Sequence, residues 1–141
     1  MLVLQSAVPR LNSLARRIAP ILAPGISVSF EARESEAFAV LVNNANGAKQ
    51  YRGNSAGERR KVDLVVLFCL AGLQQHPINL LSIDEAFEKL APDAQDSVAA
   101  FLKTQLKPGG LSTIFMINHT ADTVSQYADQ VWNMNSGVLS Q

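Results

Sequence analysis

The chain has 141 residues, of which 48% are apolar and 17% are charged, and its 12 basic residues balance its 12 acidic ones. This composition is typical of one globular domain and argues against a disordered chain, while the zero net charge argues neither for nor against a nucleic-acid partner. The single cysteine, Cys69, excludes an internal disulfide and a multi-cysteine zinc site. With no apolar run long enough for a membrane span and no signal-peptide pattern, we predict a cytoplasmic protein with no membrane partner.

The first part of the chain is predicted to form a helix and then two antiparallel strands. Apolar residues recur at helical spacing from Leu11 to Leu22, and Pro24-Gly25 closes that segment. Apolar and polar residues then alternate from Ile26 to Phe30 and again from Phe38 to Val42. A turn at residues 43–47 follows the second strand.

Further along the chain, predicted helices alternate with continuous apolar strands. Such strands are typical of a parallel sheet that is covered on both faces, so the sequence predicts an α/β fold. Phe101, Phe115, Met116, Trp132 and Met134 are expected to pack in its core. The predicted elements are a helix from Ser55 to about Leu73, a strand from Ile78 to Ile83, a helix from Asp93 to Leu106, a strand from Thr113 to Ile117, a short helix from Ala121 to Ala128, and strands at Val131 to Met134 and at Val138-Leu139.

The start of the first of these helices carries a motif that suits a phosphate. Ser55 and Glu58 have the spacing of a capping box, and Gly57 keeps the first turn open to close approach. The basic run from Arg59 to Lys61 opposes the helix dipole, and a docked anion would remove that conflict. Two interpretations remain at this point: a phosphate site, or a well-capped core helix with a basic, solvated edge.

A second motif follows the strand that ends at Ile83. In an open parallel sheet, ligands bind beyond the carboxyl ends of the strands, where Asp84 and Glu85 would lie. Asp84 suits a role in ordering Mg²⁺, which prefers carboxylates, waters and phosphate oxygens, and Glu85 could polarise water. The alternative is an Asp that caps the next turn, with an exposed Glu beside it.

These motifs occur in an order that resembles the C-terminal half of an ABC-type ATPase head, from about Leu11 to the end of the chain. The order is a signature helix, an acidic strand end, a strand that ends before His119, and a short strand pair. The chain contains no G-x-x-x-x-G-K-[ST] phosphate loop. The resemblance therefore implies one domain, the C-terminal lobe of a P-loop NTPase head, with a mostly parallel sheet flanked by helices and an antiparallel strand pair near its N-terminus. Residues 1–24 resemble the end of a coiled coil, residues 25–141 resemble the α/β lobe, and the N-terminal lobe is expected to be absent.

The resemblance also implies roles for individual residues around ATP and Mg²⁺. The signature residues contact the terminal phosphate of a nucleotide held by the opposite head, so they are expected to act in trans. Asp84 is expected to order Mg²⁺, directly or through water; Glu85 is expected to be the general base, and His119 to sense the terminal phosphate. The signature positions are Ser55, Ala56, Gly57 and Glu58.

Within this family the chain is most similar to the SMC-like ATPases of double-strand-break repair, the large subunits of repair and phage recombination exonucleases. An acid and paired arginines at Glu58-Arg59-Arg60, and the strand pair before the signature, carry this likeness. It implies a head that hydrolyses ATP only when an N-terminal lobe, on the same or a separate chain, completes it. A second head in a homodimer, a nuclease subunit and DNA bound through the complex are the further expected partners.

The sequence departs from the family pattern at four positions, and two alternatives to the repair ATPase stay open. Asn54 and Ala56 replace the usual leucine and first glycine, and Ala86 stands where proline is frequent. Ala91 stands where an aspartate is expected to cross the dimer interface, and Asp93 is the nearby substitute. The alternatives are an ATPase-like half-domain that serves only as an interaction module, and the nucleotide-binding half of an ABC transporter.

Overall fold

A computed structural model of the chain describes residues 2–32, 39–47, 50–74, 79–107, 111–119 and 124–140. Three helices and six strands alternate along these residues, with single 3₁₀ turns at Tyr51–Gly53 and Ser125–Tyr127. The helices are α1 (Leu2–Leu22), α2 (Ala56–Ala71) and α3 (Pro92–Gln105). The strands are β1 (Ile26–Glu31), β2 (Ala39–Asn44), β3 (Leu80–Asp84), β4 (Thr113–Ile117), β5 (Asn133–Asn135) and β6 (Val138–Ser140).

Helix α1 is followed by the antiparallel β1–β2 pair, as predicted, although the helix already begins at Leu2 rather than near Leu11. Every second residue of β1 is buried, and β1 pairs with β2 in antiparallel register from Ile26 opposite Asn44 to Glu31 opposite Ala39. Asn12 on α1 fixes the helix to β1, because it accepts the Phe30 amide at 2.8 Å and donates to the Phe30 carbonyl at 3.0 Å. Of the second predicted strand, Phe38 lies outside the described residues.

The core is formed by the three helices and the β1–β2 pair, and Ile83 of β3 is buried in it as well. Phe68 of α2 and Phe101 of α3 meet edge to face, with ring centroids 5.0 Å apart. Cys69 is fully buried, and its burial raises the pKa of the thiol to about 11, which fits an inert packing residue. Strands β3 and β4 are parallel and in register from Leu80 beside Thr113 to Asp84 beside Ile117, so their carboxyl ends meet at one edge. The α/β fold with an antiparallel pair near the N-terminus is confirmed.

The outer face of β3–β4 is the main departure from the predicted packing. Leu80, Phe115 and Ile117 share this face and are 52%, 60% and 54% exposed. Trp132 and Met134 are exposed as well, so the expected core packing is wrong for Phe115, Trp132 and Met134, although Phe101 is buried. Continuous apolar strands do predict burial on both faces, but no described element of this chain covers the second face.

The remaining differences concern the ends of elements. The third predicted strand begins at Leu80, and Ile78 lies outside the described residues. The short helix predicted to begin at Ala121 is described only from residue 124 onward, where a 3₁₀ turn spans Ser125–Tyr127. No helix among the described residues has the length and apolar character that a membrane span requires.

Candidate functional site

The start of helix α2 is closed by the predicted capping box. The Glu58 amide donates to Ser55 Oγ at 3.3 Å, and the Ser55 amide donates to Glu58 Oε2 at 2.8 Å. The bond from the Ser55 backbone, followed by the side-chain hydrogen bonds from Ser55 and Asn44, lowers the pKa of the Glu58 carboxyl. Ser55 Oγ therefore accepts the Glu58 amide, and the Ser55 hydroxyl is also hydrogen-bonded to the Glu58 carboxylate. Ser55 and Ala56 are exposed, so a ligand can reach this turn.

Two buried asparagines stabilise the capping box through hydrogen bonds, and the sequence analysis did not predict this role. Asn44 and Asn54 are 5% and 4% exposed, and they are the only buried polar residues in the described part of the chain. The Asn44 amide donates to Asn54 Oδ1 at 2.9 Å and to Glu58 Oε1 at 2.7 Å. Asn54 in turn donates to the carbonyls of Gln50 and Tyr51. The only feature of the sequence that could have indicated this role is that Asn44 is a polar residue at the end of a strand.

The basic residues after the cap have partners within the chain. Arg59 donates to the Asn54 carbonyl at 3.1 Å, and Arg60 donates to the Glu85 carbonyl at 3.3 Å. These contacts explain the two arginines without an anion, so the dipole argument for a phosphate is weaker than the sequence indicated. The contact of Arg60 also joins the signature helix directly to the acidic strand end.

The acidic strand end and the histidine meet at the carboxyl edge of β3 and β4. Glu85 follows β3 with a left-handed φ of 50°, and its amide donates to the Ile117 carbonyl at 3.0 Å. Its side chain turns toward the end of β4, where His119 Nε2 lies 2.8 Å from Glu85 Oε1. A left-handed backbone is uncommon for a residue with a side chain, and it places this carboxylate beside the histidine. The structure thus brings Glu85 and His119 together.

Glu88 joins this pair as a third potential ligand that sequence reasoning missed. Its Oε1 lies 3.8 Å from His119 Nε2, and single ligand atoms of Glu85, Glu88 and His119 all lie within 4.8 Å of one another. Asp84 is outside this group; it is exposed and lines a shallow cavity of about 300 Å³ with Arg60, Asp63 and Ser82. One open carboxylate fits Mg²⁺, which keeps several waters and takes its other ligands from nucleotide phosphates.

The Glu85 carboxylate also sets the electrostatics of the histidine. The hydrogen bond from His119 to Glu85, and then the charge of Glu85, raise the pKa of His119 above its ordinary value; the charges of Glu88 and Asp84 add smaller contributions. The protonated pair therefore contributes to stability at pH values below the ordinary histidine pKa. That contribution is lost as the pH rises through the raised pKa of the folded state.

We predict that Glu85→Gln lowers the pKa of His119 and that Glu88→Gln lowers it less, because the Glu85 hydrogen bond is the larger cause. Proton NMR titration of the imidazole resonances measures both changes, and His76, the other histidine of the chain, serves as an internal reference. A His119 pKa that does not fall in Glu85→Gln would contradict the observed pairing.

Gly57 is required by close packing between the signature turn and the segment after Glu85. A Cβ at Gly57 would lie 2.6 Å from the Lys89 carbonyl oxygen, which is a backbone atom and cannot rotate away. A Cβ at Gly72 would meet the Leu14 Cδ1 atom at 2.8 Å, at the end of a flexible side chain. Gly57 therefore brings the two motifs together, rather than only leaving room for a ligand.

We predict that Gly57→Ala lowers the free energy of unfolding by about 1–3 kcal/mol, because the added methyl group must separate two backbone segments. Gly72→Ala is the matched control and is expected to cost less, since the Leu14 side chain can move aside. Urea unfolding followed by circular dichroism measures both. Equal losses in the two variants would contradict the close approach at Gly57.

The segment around Ala91, which is expected to cross the dimer interface, is defined by fewer side-chain contacts than the rest of the site. Ala91 precedes α3 without a side-chain cap, and Pro92 begins the helix. Asp93 lies exposed in the first turn, and its carbonyl accepts from Ser97 Oγ at 2.9 Å. The role of Asp93 as a substitute for the expected aspartate stays a prediction.

The fold resembles that of SMC ATPase heads. A structure from work on ATP-driven dimerisation and DNA-stimulated activation of SMC ATPases matches with a TM-score of 0.74 at 19% identity, over 99% of this chain and 84% of that one. An Smc head bound to the C-winged helix domain of ScpA gives 0.75 at 20% identity, over 96% and 42%. The Smc head of Pyrococcus furiosus, with an extended coiled coil and the C-terminal domain of ScpA, gives 0.74 at 20% identity, over 93% and 33%.

Sequence comparison finds a distant relative that is also an ABC-type ATP-binding protein. The energy-coupling factor transporter ATP-binding protein EcfA2 of Lactobacillus gasseri is 29% identical over 85 residues, which are 60% of this chain and 27% of the relative. No family model matches the sequence. The chain therefore has the fold of part of an SMC-like, ABC-type ATPase head, and it spans about a quarter of the length of this curated relative.

Proposed function

We propose that this chain is the C-terminal lobe of a dimeric, ATP-hydrolysing head that drives a DNA repair or recombination exonuclease. The observation that carries the proposal is the meeting of Glu85 and His119 at 2.8 Å, next to Asp84 at the carboxyl edge of the parallel strands. In this arrangement Asp84 orders Mg²⁺, Glu85 accepts a proton from the attacking water, and His119 contacts the terminal phosphate. Mg²⁺, when bound, neutralises the charge that develops on the phosphate oxygens.

An N-terminal lobe, on the same or a separate chain, supplies the phosphate loop that this sequence does not contain. The exposed outer face of β3–β4, with Leu80, Phe115 and Ile117, supports this part of the proposal, because monomeric proteins rarely leave such apolar patches uncovered. Among the described residues, β4 pairs only with β3, so its second edge is open to another strand. The phosphate-loop lobe would cover this face and hold the nucleotide against Asp84.

The signature turn serves the nucleotide of the opposite head. Ser55 and Ala56 are exposed at the N-terminus of α2, where backbone amides and the Ser55 hydroxyl can meet a phosphate. The SMC neighbour associated with ATP-driven dimerisation supports a composite site of this kind. A nuclease subunit and DNA are proposed as further partners of the assembled complex, on the likeness to repair ATPases.

The transporter alternative draws on one observation, the relation to an energy-coupling factor ATP-binding protein. That relation covers 60% of the chain, whereas the matches to SMC heads cover 93–99% of it. We therefore prefer the SMC-like function. The interaction module without catalysis is disfavoured by the retained Ser55, Asp84, Glu85 and His119.

Reconstitution tests the proposal. The chain is assayed for ATP hydrolysis alone and after addition of a matching lobe that carries G-x-x-x-x-G-K-[ST], which is sought in the neighbouring coding sequence. We call the chain and this lobe together the completed head. We expect no turnover by the chain alone and Mg²⁺-dependent turnover by the completed head. Robust hydrolysis by the isolated chain, or none by the completed head, would contradict the proposal. Stimulation by DNA and by a co-encoded nuclease then tests the repair role.

A further inference from the structure

The buried Asn44 connects the β1–β2 pair to the turn that carries Ser55. It is the last residue of β2, and its amide group donates to Glu58 Oε1 at 2.7 Å, while its own oxygen accepts the Asn46 amide at 3.1 Å. Glu58 uses its other oxygen, Oε2, to hold the Ser55 amide at 2.8 Å. A single carboxylate therefore bridges the strand pair and the signature serine.

The chemistry of these contacts determines where the Ser55 hydroxyl can point. Glu58 accepts the Ser55 backbone amide, the Glu58 amide donates to Ser55 Oγ, and a side-chain hydrogen bond also joins Ser55 to the Glu58 carboxylate, so the backbone and the side chain of Ser55 are both held by Glu58. The buried side-chain amide of Asn44 in turn donates to the partly buried Glu58 carboxylate, so the amide is itself satisfied by this bond. The same side-chain amide of Asn44 also donates to Asn54 Oδ1 at 2.9 Å, so the side chain cannot rotate without breaking several hydrogen bonds.

We propose that Asn44 is a positioning residue that holds Ser55, through Glu58, in the geometry needed to contact the nucleotide of the opposite head. The inference rests on the proposed function, since it concerns the same composite site. It adds to the composite site a residue that lies outside the signature motif. It also connects that motif to the β1–β2 pair, to which Asn12 fixes α1.

Asn44→Asp tests the inference with the smallest change of shape. The substitution replaces the donor by a carboxylate that faces Glu58, so we expect the amides of Ser55 and Glu58 to exchange with solvent roughly tenfold faster. In the completed head, we expect ATP-driven dimerisation to weaken roughly tenfold while the binding of ATP by the phosphate-loop lobe is unchanged. Hydrogen exchange of the 141-residue chain and light scattering of the completed head measure the two effects.

Two further variants separate positioning from general destabilisation. Asn43→Asp introduces the same charge at the neighbouring exposed position of β2, so it is the matched control and is expected to change neither readout. Adding Glu58→Gln to Asn44→Asp reverses the direction of the hydrogen bond while keeping a residue that suits the capping box. We expect this pair of substitutions to restore slow exchange and dimerisation in part.

The outcomes distinguish this inference from the function on which it rests. If the wild-type completed head shows no ATP-driven dimer, the proposed function fails, and hydrogen exchange in the chain alone still decides whether Asn44 holds the turn. If the wild-type head dimerises and Asn44→Asp behaves like Asn43→Asp in both readouts, the inference is overturned. A loss in Asn44→Asp that Glu58→Gln does not relieve would also overturn it.

Discussion

ATP hydrolysis by the completed head is expected to fall by about 10²–10⁴-fold in Glu85→Gln, the range over which a positioned general base contributes. The amide keeps the size of the side chain and can still accept the hydrogen bond from His119, but it cannot take a proton from water. Binding of ATP is expected to persist, because Asp84 and the phosphate-loop lobe are unchanged. Steady-state hydrolysis and equilibrium binding of a fluorescent ATP analogue measure the two properties.

Glu88→Gln is the comparison for this experiment. It makes the same chemical change three residues further along, at a carboxylate that lies 3.8 Å from the same histidine. We expect its effect on hydrolysis to stay below about threefold, since Glu88 has only a minor charge interaction with His119. If Glu88→Gln and Glu85→Gln slow hydrolysis equally, the assignment of Glu85 as the base is wrong.

ATP-driven dimerisation is expected to weaken roughly 10- to 100-fold in Ser55→Arg, which removes a hydroxyl donor to a charged phosphate. The larger side chain also occupies the exposed turn that would face the opposite nucleotide. Part of any loss comes from the helix cap, whose removal costs about 0.5–2 kcal/mol of stability. Light scattering in a Glu85→Gln background, in which bound ATP persists, measures dimerisation without hydrolysis.

The control for this prediction is Ser13→Arg, which makes the same substitution at an exposed position of helix α1. Thermal unfolding of both variants shows how much of the effect belongs to the lost cap. Undiminished ATP-driven dimerisation in Ser55→Arg would mean that the signature turn does not contact the nucleotide.

The features that sequence reasoning predicted correctly depend on local or highly constrained geometry. The capping box joins residues three positions apart, so its spacing alone indicates it. Glu85 and His119 are far apart in the chain, but each follows a strand of one parallel pair, and parallel strands end at the same edge. Knowing that β3 and β4 are neighbours was therefore sufficient to place the two side chains together.

The features that it missed depend on packing between elements. The bond between Asn44 and Glu58 requires the orientation of the β1–β2 pair against α2, which no periodicity encodes. The contact from Arg60 to the Glu85 carbonyl depends on the same kind of placement. The exposure of Phe115 and Trp132 was missed because an apolar pattern indicates burial without saying which chain provides the cover.

The central claim is that Glu85 and Ser55 of one chain act on two different nucleotides. Dimers assembled from two differently substituted heads test this claim most directly. Completed heads with two affinity tags are paired so that Glu85→Gln and Ser55→Arg lie either on opposite heads or on the same head. With the substitutions on opposite heads, both fall on one composite site, so we predict that the other site still hydrolyses ATP. With both on the same head, each site loses one group, and hydrolysis should be abolished. Hydrolysis that survives only when both substitutions share a head would contradict the account.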